Sequence, residues 1–473
     1  MTYGSLLQER RRQLHVRVVQ ALESLHADRL TEQVERLAHH AHRGALGEKA
    51  VHYLRQAANK AAARSALEEA RSSFDQALAV LAGLPQTEAT LVQAADIALE
   101  LGPVLTPLGD VRALLERLRE AERLVGPLQS ERHACQIVTL MADTHIRLSN
   151  TREALMMAGR AVELGQRLGD HTPSAKARNV LARAYYFGGD FRRSAELAAE
   201  NLGGLSVGAI DETQAVPLQV QDGYVLLQSL GALGRFAEAA PHRADLIAFV
   251  DTIDHPYAIC VAHHAAANLS LAQGELLEAR SSYRRVIRVA DTAGILLMRA
   301  ATVHAMAFVL AQLGETAEAF AHVREGEELL ERAVAKGLLF DLVVGFRNLS
   351  YACLLLGQVV DAKRFADRAV EFSSVRPEYY PWVLQVLGNL ASHPASFDFN
   401  LAERHYHEAI ALSEPQGRRP LVAHCRFRLG RLYAVRDQRK EAQTQLDIAA
   451  TMFREMDMSF WLKQAESARK ELG

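Results

Sequence analysis

Apolar residues recur along this chain at three- and four-residue steps, and the recurrence stops and restarts at short polar elbows. Leu226, Leu227, Leu230 and Leu233 lead up to Gly234, and Phe236, Ala239, Ala240, Leu246 and Phe249 lead away from it. Such steps place side chains on one side of an α-helix. The pattern therefore predicts a helix, a tight turn and a second, antiparallel helix. The alternating β-branched runs and Asn-Gly turns that mark strands and hairpins do not occur.

The elbow repeats. Equivalent positions are Gly109, Ser149, Gly189, Gly234, Gly274, Gly314, Gly357, Phe397 and Asp437, separated by 40, 40, 45, 40, 40, 43, 40 and 40 residues. Five residues after each stand Leu114, Ala154, Ser194, Ala239, Ala279, Ala319, Ala362, Ala402 and Ala442. Seven residues before each stand Gly102, Ala142, Ala182, Leu227, Ala267, Ala307, Ser350, Leu390 and Gly430. Small residues at fixed offsets mark a close approach of two helices, and glycine between them reaches left-handed backbone angles cheaply. One hairpin cannot bury its own apolar face, so the units must stack. The fold expected is all-α: a right-handed α–α superhelix of helical hairpins with a period of about 40 residues.

A small residue, a turn glycine seven residues later and an alanine five beyond that resemble the tetratricopeptide pattern over roughly residues 90–457. The period departs from the 34 residues of the standard repeat, and longer helices would absorb the difference. Residues 37–85 read as three further helices with turns near 44–47 and 64–67, and with Ala50 and Ala70 at close-packed elbows. At the start, "SLLQERRRQLHVRVVQALESL" opens with the capping box Ser5-x-x-Gln8. It reads as an amphipathic helix with Arg10, Arg11 and Arg12 in solvent. This phrase and the following "ERLAHHAHRGALGEKAVHYLRQAANKA" resemble the junction between the winged-helix end of STAND-type signalling ATPases and their C-terminal repeat arm. Many such proteins are fused to class III adenylate or guanylate cyclase domains. The organisation expected is a junction helix over 1–28, helical repeats over 29–86, the superhelix over 87–457 and a capping helix over 458–473.

Charge and chemistry narrow the function. Lys plus Arg number 54 and Asp plus Glu 56, so no polyelectrolyte signature points to nucleic acid or to a membrane surface. The apolar stretch 295–314 carries Arg299 and His304 and reads as a buried helix. Cys135, Cys260, Cys353 and Cys425 are far apart within apolar helical patterns. They read as buried free thiols of a cytoplasmic protein. The string "GGLSVGAI" (203–210) places Ala209 where a phosphate-binding loop needs lysine. No histidine set has a third ligand of convincing spacing. The reading is therefore of a protein that is not an enzyme, with no cofactor and no metal.

In the repeat family it resembles, residues ten and six positions before each turn face the concave groove. The pairs are Thr139/Asp143, Asn179/Arg183, Tyr224/Gln228, His264/Asn268, His304/Phe308, Arg347/Tyr351, Leu387/Ala391 and Phe427/Arg431. Four residues apart on a helix means one face. Of these, Asn179, Arg183, Tyr224, Gln228, His264, Asn268, His304, Arg347 and Tyr351, together with the groove aromatic Tyr186, form the candidate site. Amides suit an extended backbone, arginines suit carboxylates, and tyrosines suit anchoring. The resemblance implies the regulatory or sensor arm of a signalling ATPase or cyclase, without the catalytic parts. Its partner would be a protein, a peptide or a small effector. Two alternatives stand beside it: a free-standing adaptor joining two proteins, and an ATP-binding or cyclase function shared with relatives. Oligomeric state is left open.

Overall fold

The elbows fold as left-handed turns. In the computed structural model, which describes residues 3–204, 217–335 and 341–472, eight of the nine positions have positive φ. They run from 56° at Asp437 and 60° at Ser149 to 95° at Gly274. At each the chain leaves one helix by the same bond. The N–H just after the elbow donates to the C=O five residues back, as in Arg235 to Leu230 (2.9 Å) and Glu315 to Leu310 (2.9 Å). This closes the open carbonyls of the first helix, and the second helix starts one residue later. Phe397 is the exception, with φ of −63°. There a 3-10 turn, Pro394–Ser396, lengthens the connection, and the Asp398 carboxylate caps the next helix by accepting from the Leu401 N–H. The glycine-equivalent reading of Phe397 is thus replaced by an aspartate-capped loop.

All nine residues five past the elbows are fully buried. They meet the column seven before the elbows: the Ser350 hydroxyl donates to the Ala362 carbonyl at 2.7 Å. A Cβ on Gly430 would lie 3.1 Å from the Ala442 carbonyl oxygen. The Leu446 side chain comes closer still, at 2.6 Å, so Gly430 leaves no room for a larger residue.

The chain divides into two compact units, Met1–Ala177 and Arg178–Gly473, with the boundary inside one helix. The first unit contains α1 (Tyr3–Leu25), α2 (Val34–Arg43), α3 (Gly47–Ala63), α4 (Leu67–Ala82), α5 (Glu88–Glu100), α6 (Gly102–Leu108), α7 (Val111–Val125), α8 (Glu131–Arg147), α9 (Thr151–Leu168) and the start of α10 (His171–Phe187). The turns expected at 44–47 and 64–67 are present, with Ala45 and Ser65 left-handed and Ala50 and Ala70 buried five residues on. Helix α1 is Tyr3–Leu25; the side chain of Ser5, on which the expected capping box rests, lies outside the described residues. Arg10, Arg11 and Arg12 are exposed, while Val19 and Leu22 turn inward. The stretch Glu88–Leu108 is long and apolar enough to cross a membrane by composition. Its Ile97, Leu101, Val104 and Leu105 are buried in the core of this unit.

The second unit continues with α11 (Phe191–Gly204), α12 (Leu218–Leu233), α13 (Phe236–Val250), α14 (Pro256–Gln273), α15 (Leu276–Ala293), α16 (Leu296–Gln312), α17 (Thr316–Ala335), α18 (Leu342–Leu355), α19 (Val359–Ser373), α20 (Tyr380–Ala391), α21 (Phe399–Ser413), α22 (Arg419–Val435), α23 (Arg439–Glu455) and α24 (Ser459–Lys470). The apolar stretch at 295–314 is α16, whose Val303, Met306, Val309 and Leu310 are buried. The hairpins of this unit curl until the last meets the first. One apolar core joins Ala182, Leu226 and Phe236 with Phe427, Phe453, Met456 and Met458. The Gln273 amide donates to the Asp457 carbonyl at 3.4 Å. A Cβ on Gly274 would lie 3.0 Å from the Trp461 ring, so α24 docks on an earlier turn as well as covering α23.

Candidate functional site

The candidate residues lie on the first helices of successive hairpins in the second unit, on α10, α12, α14, α16 and α18. The structure separates them into two groups. Asn179, His264 and His304, ten residues before their turns, are buried and tie neighbouring hairpins together. The Asn179 amide donates to Asp222 Oδ1 on α12 at 2.7 Å, and Asn201 on α11 donates to the other carboxylate oxygen at 2.6 Å. His264 on α14 meets Thr302 on α16 at 3.2 Å. The Thr302 hydroxyl already donates to the Met298 carbonyl. The network therefore places a proton on His264 Nδ1.

His304 continues the series. Asn348 Oδ1 accepts from the Arg347 guanidinium at 2.6 Å, so the Asn348 amide nitrogen donates to His304 Nδ1 at 3.2 Å. His304 Nε2 then donates to Asp341 at 3.3 Å. These polar groups bind hairpin to hairpin, where the sequence reading has them facing a ligand. Burial holds the His264 imidazole down at about 4, so it is neutral near pH 7.

The second group keeps accessible surface. Arg183, Tyr186, Tyr224, Gln228, Asn268, Arg347 and Tyr351 are all half-buried. Asn268 accepts from the Tyr283 hydroxyl at 2.6 Å, and Tyr351 packs on Phe308 with ring centres 5.2 Å apart. The Gln228 amide nitrogen has no hydrogen-bond partner among the described residues. These side chains share one electrostatic environment: Asp341 acts on Tyr186, Tyr224, Tyr283 and Arg347, and Arg347 acts on Tyr186, Tyr283 and Tyr351. Burial pushes Tyr186 and Tyr351 up to about 12 and raises Tyr224 and Tyr283 further. All four phenols are hydrogen-bond donors at neutral pH.

Five residues outside the two columns join them: Tyr283, Asp341, Tyr379, Trp382 and Arg418. Tyr379 stacks on Trp382 with centroids 5.6 Å apart. The Arg347 and Arg418 guanidinium carbons lie 5.5 and 4.5 Å from the Trp382 ring centre. Arg418 also lies 4.7 Å from the Phe191 ring, spanning the curl of the unit. Tyr283 is on a second helix, Asp341 starts α18, and Tyr379 and Arg418 sit between hairpins. A reading restricted to two positions of the first helices does not reach them. The one available signal was the rarity of tryptophan, with two in the chain.

Among the described residues no cluster of three His, Cys, Asp or Glu is placed to hold a metal ion. All four cysteines are buried and free. Residues Leu205–Val216, which include Gly208 and Ala209 of the rejected phosphate-loop string, lie outside the described residues.

The fold is that of a tetratricopeptide-like helical repeat protein. No protein-family profile matches the sequence, and no curated protein does. Solved structures are similar in fold. A Rap protein complexed with competence and sporulation factor is 13% identical, covers 90% of this chain and 99% of its own, and superposes with a TM-score of 0.46. A STAND protein with a tetratricopeptide repeat sensor from Pyrococcus horikoshii is 14% identical, with coverage of 85% and 55% and a TM-score of 0.43. The human IFIT1 dimer with m7Gppp-AAAA is 14% identical, with coverage of 93% and 94% and a TM-score of 0.46.

Proposed function

We propose that the chain is a non-catalytic binding module that holds an effector on the inner surface of Arg178–Gly473. The effector is a peptide, a segment of a partner protein or a small molecule. One observation carries the reading. Four first helices of an Ala- and Leu-rich scaffold, α10, α12, α14 and α18, carry half-buried Tyr, Arg, Asn and Gln side chains, and several of these share one electrostatic environment around Asp341 and Arg347. Tyrosine and arginine anchor bound partners when water is excluded around them. An effector held there contacts several hairpins at once, so it favours one curvature of the array over others. Regulation then follows from its unequal affinity for those states.

The finer reading is a sensor arm of a STAND-type ATPase or cyclase. It is supported by the resemblance of α1 and the helices after it to the junction of such proteins. An immunoblot of source cells tests it: a band much larger than 52.2 kDa supports an arm, and a band at that mass supports a free-standing adaptor.

Native mass spectrometry of the chain purified from its source cells tests binding itself. The expected result is a bound mass that is lost in Tyr224→Ala and Tyr351→Ala proteins with unchanged helical content. A bound mass indifferent to both substitutions would place binding elsewhere. No bound mass, with no thermal stabilisation by peptide or nucleotide libraries, would sink the reading.

A further inference from the structure

We propose that Arg418 and Arg347, gathered at Trp382, form a subsite for one oxyanion of the effector, a carboxylate or a phosphate ester. The inference rests on the inner surface being a binding site and names the ligand chemistry at one end of it.

Arginines elsewhere in this unit are commonly held by carboxylates: Arg299 by Asp291 and Glu325, and Arg368 by Glu331 and Glu371. Arg418 is 2% exposed, and neither it nor Arg347 has a carboxylate within 4.0 Å among the described residues. Arg418 spends one N–H on the Glu378 carbonyl at 2.7 Å. Its Nε and Nη1 meet no acceptor among the described residues. Arg347 donates to a neutral amide, Asn348. A guanidinium remains charged in any protein environment, and a buried charge without a counter-charge is strongly unfavourable.

The nearby carboxylates are engaged elsewhere. Glu378 pairs with Arg376 at 3.3 Å, and Asp341 bonds to His304. Phe191 and Trp382 lie against the Arg418 guanidinium. Aromatic rings offset part of the charge but accept no N–H bonds in the guanidinium plane. The unsatisfied donors lie in that plane, where carboxylate and phosphate oxygens match a guanidinium fork. Tyr186 and Tyr379, which lie within electrostatic reach of Arg418, contribute hydroxyl donors. The environment thus combines two cations, two phenols and a flat aromatic wall; the Glu378 carboxylate lies within electrostatic reach of Arg418 but pairs with Arg376.

Trp382 provides the readout, because Trp461→Phe leaves it as the single tryptophan. The Trp461→Phe protein is titrated with sodium acetate and, separately, with inorganic phosphate, at ionic strength held constant with chloride. A saturable change in Trp382 emission is expected with at least one anion, and Arg347→Gln raises its midpoint tenfold or more while the melting curve is unchanged. Saturation by acetate alone assigns a carboxylate, by phosphate alone a phosphate ester, and by both a subsite that accepts either. Arg418→Gln is expected to act likewise. Because Arg418 also joins Phe191 to Trp382, its loss of folding would leave Arg347→Gln to decide. No saturation with either anion, or a midpoint unmoved by Arg347→Gln, overturns the proposal. A bound effector retained by the unresponsive protein would remove this subsite and leave the binding surface standing.

Discussion

Gly234→Ala measures whether the second unit curls back on itself. Gly234 has φ of +73°, and an alanine held there costs about 1–2 kcal/mol from backbone sterics. Its added Cβ would stand 2.2 Å from Met456 Sδ, 3.0 Å from Met456 Cγ and 3.3 Å from Pro420 Cδ. Met456 is buried in the core that joins the first and last hairpins of the unit, so it cannot swing into solvent without opening that core. Overpacking of this kind adds about 1–3 kcal/mol. Gly314→Ala is the matched control: φ is +78° and nothing lies within 4 Å of the added carbon. The entropy that glycine contributes to the unfolded chain is common to both and cancels. Urea unfolding is therefore expected to show Gly234→Ala less stable than Gly314→Ala by about 1–3 kcal/mol. Met456→Ala introduced beside Gly234→Ala makes room for the carbon, so the pair should be less destabilising than the sum of the single changes. Equal losses from the two alanines, together with additive behaviour of Gly234→Ala and Met456→Ala, would refute the closed arrangement.

Three further outcomes are expected. Ser149→Gly should raise stability by about 0.5–1 kcal/mol, because relief of about 1–2 kcal/mol of left-handed strain outweighs the roughly 0.4–1 kcal/mol that glycine's unfolded-state freedom costs, and the buried Ser149 hydroxyl it removes has no partner among the described residues; Phe397→Gly, at a position with negative φ, should bring no gain, and a gain there would overturn the assignment of its turn. Burial pushes Asp222 up to about 7, against the two amides that bond it and the nearby Arg178 and Arg183, while an unfolded aspartate titrates near about 4. The folded protein therefore keeps a proton that the unfolded chain releases, and wild-type stability falls as pH rises through that window and levels off above it. Relative to Asp222→Asn it should drop by on the order of 2 kcal/mol from pH 5 to pH 8, and parallel pH profiles in urea unfolding would exclude this. Burial raises all four thiols, Cys260 to about 11 and Cys353 to about 12, so an aromatic disulfide reagent at pH 7.5 should react with none until urea is added; one thiol modified within minutes in the native protein would count against the buried assignment.

What was legible in the sequence was whatever repeats. The elbows and the small residues at their fixed offsets are set by backbone geometry within one hairpin, and that geometry recurs at Ser149 and Asp437 without glycine. Asn and Asp tolerate left-handed angles better than most residues; serine at 149 shows that the surrounding helices can impose the turn. Phe397 misled because equal spacing continues through a connection built differently, from Pro394 and the Asp398 cap. The curl of the second unit was not legible. It depends on singular contacts between distant hairpins, such as Met456 on Gly234, Trp461 on Gly274 and Arg418 on Phe191, and a periodic pattern carries no record of them.

Close stacking of the hairpins explains why three members of the first groove column are buried. When hairpins stack tightly, a side chain ten residues before the turn stands beside the next first helix, so Asn179, His264 and His304 find partners at Asp222, Thr302 and Asn348. Among the side chains six residues before the turn, Arg183, Gln228, Asn268 and Tyr351 keep surface, as do Tyr224 and Arg347 in the other column. Amides and imidazoles in the first column convert an apolar stacking contact into a directional one. A buried donor left unpaired is costly, and that penalty fixes the register between hairpins. The register in turn sets where Tyr224, Arg347 and Tyr351 project. Loosening one of these inter-hairpin bonds, as in Asn348→Ala, is therefore expected to shift the positions of Tyr224, Arg347 and Tyr351 without removing any of them.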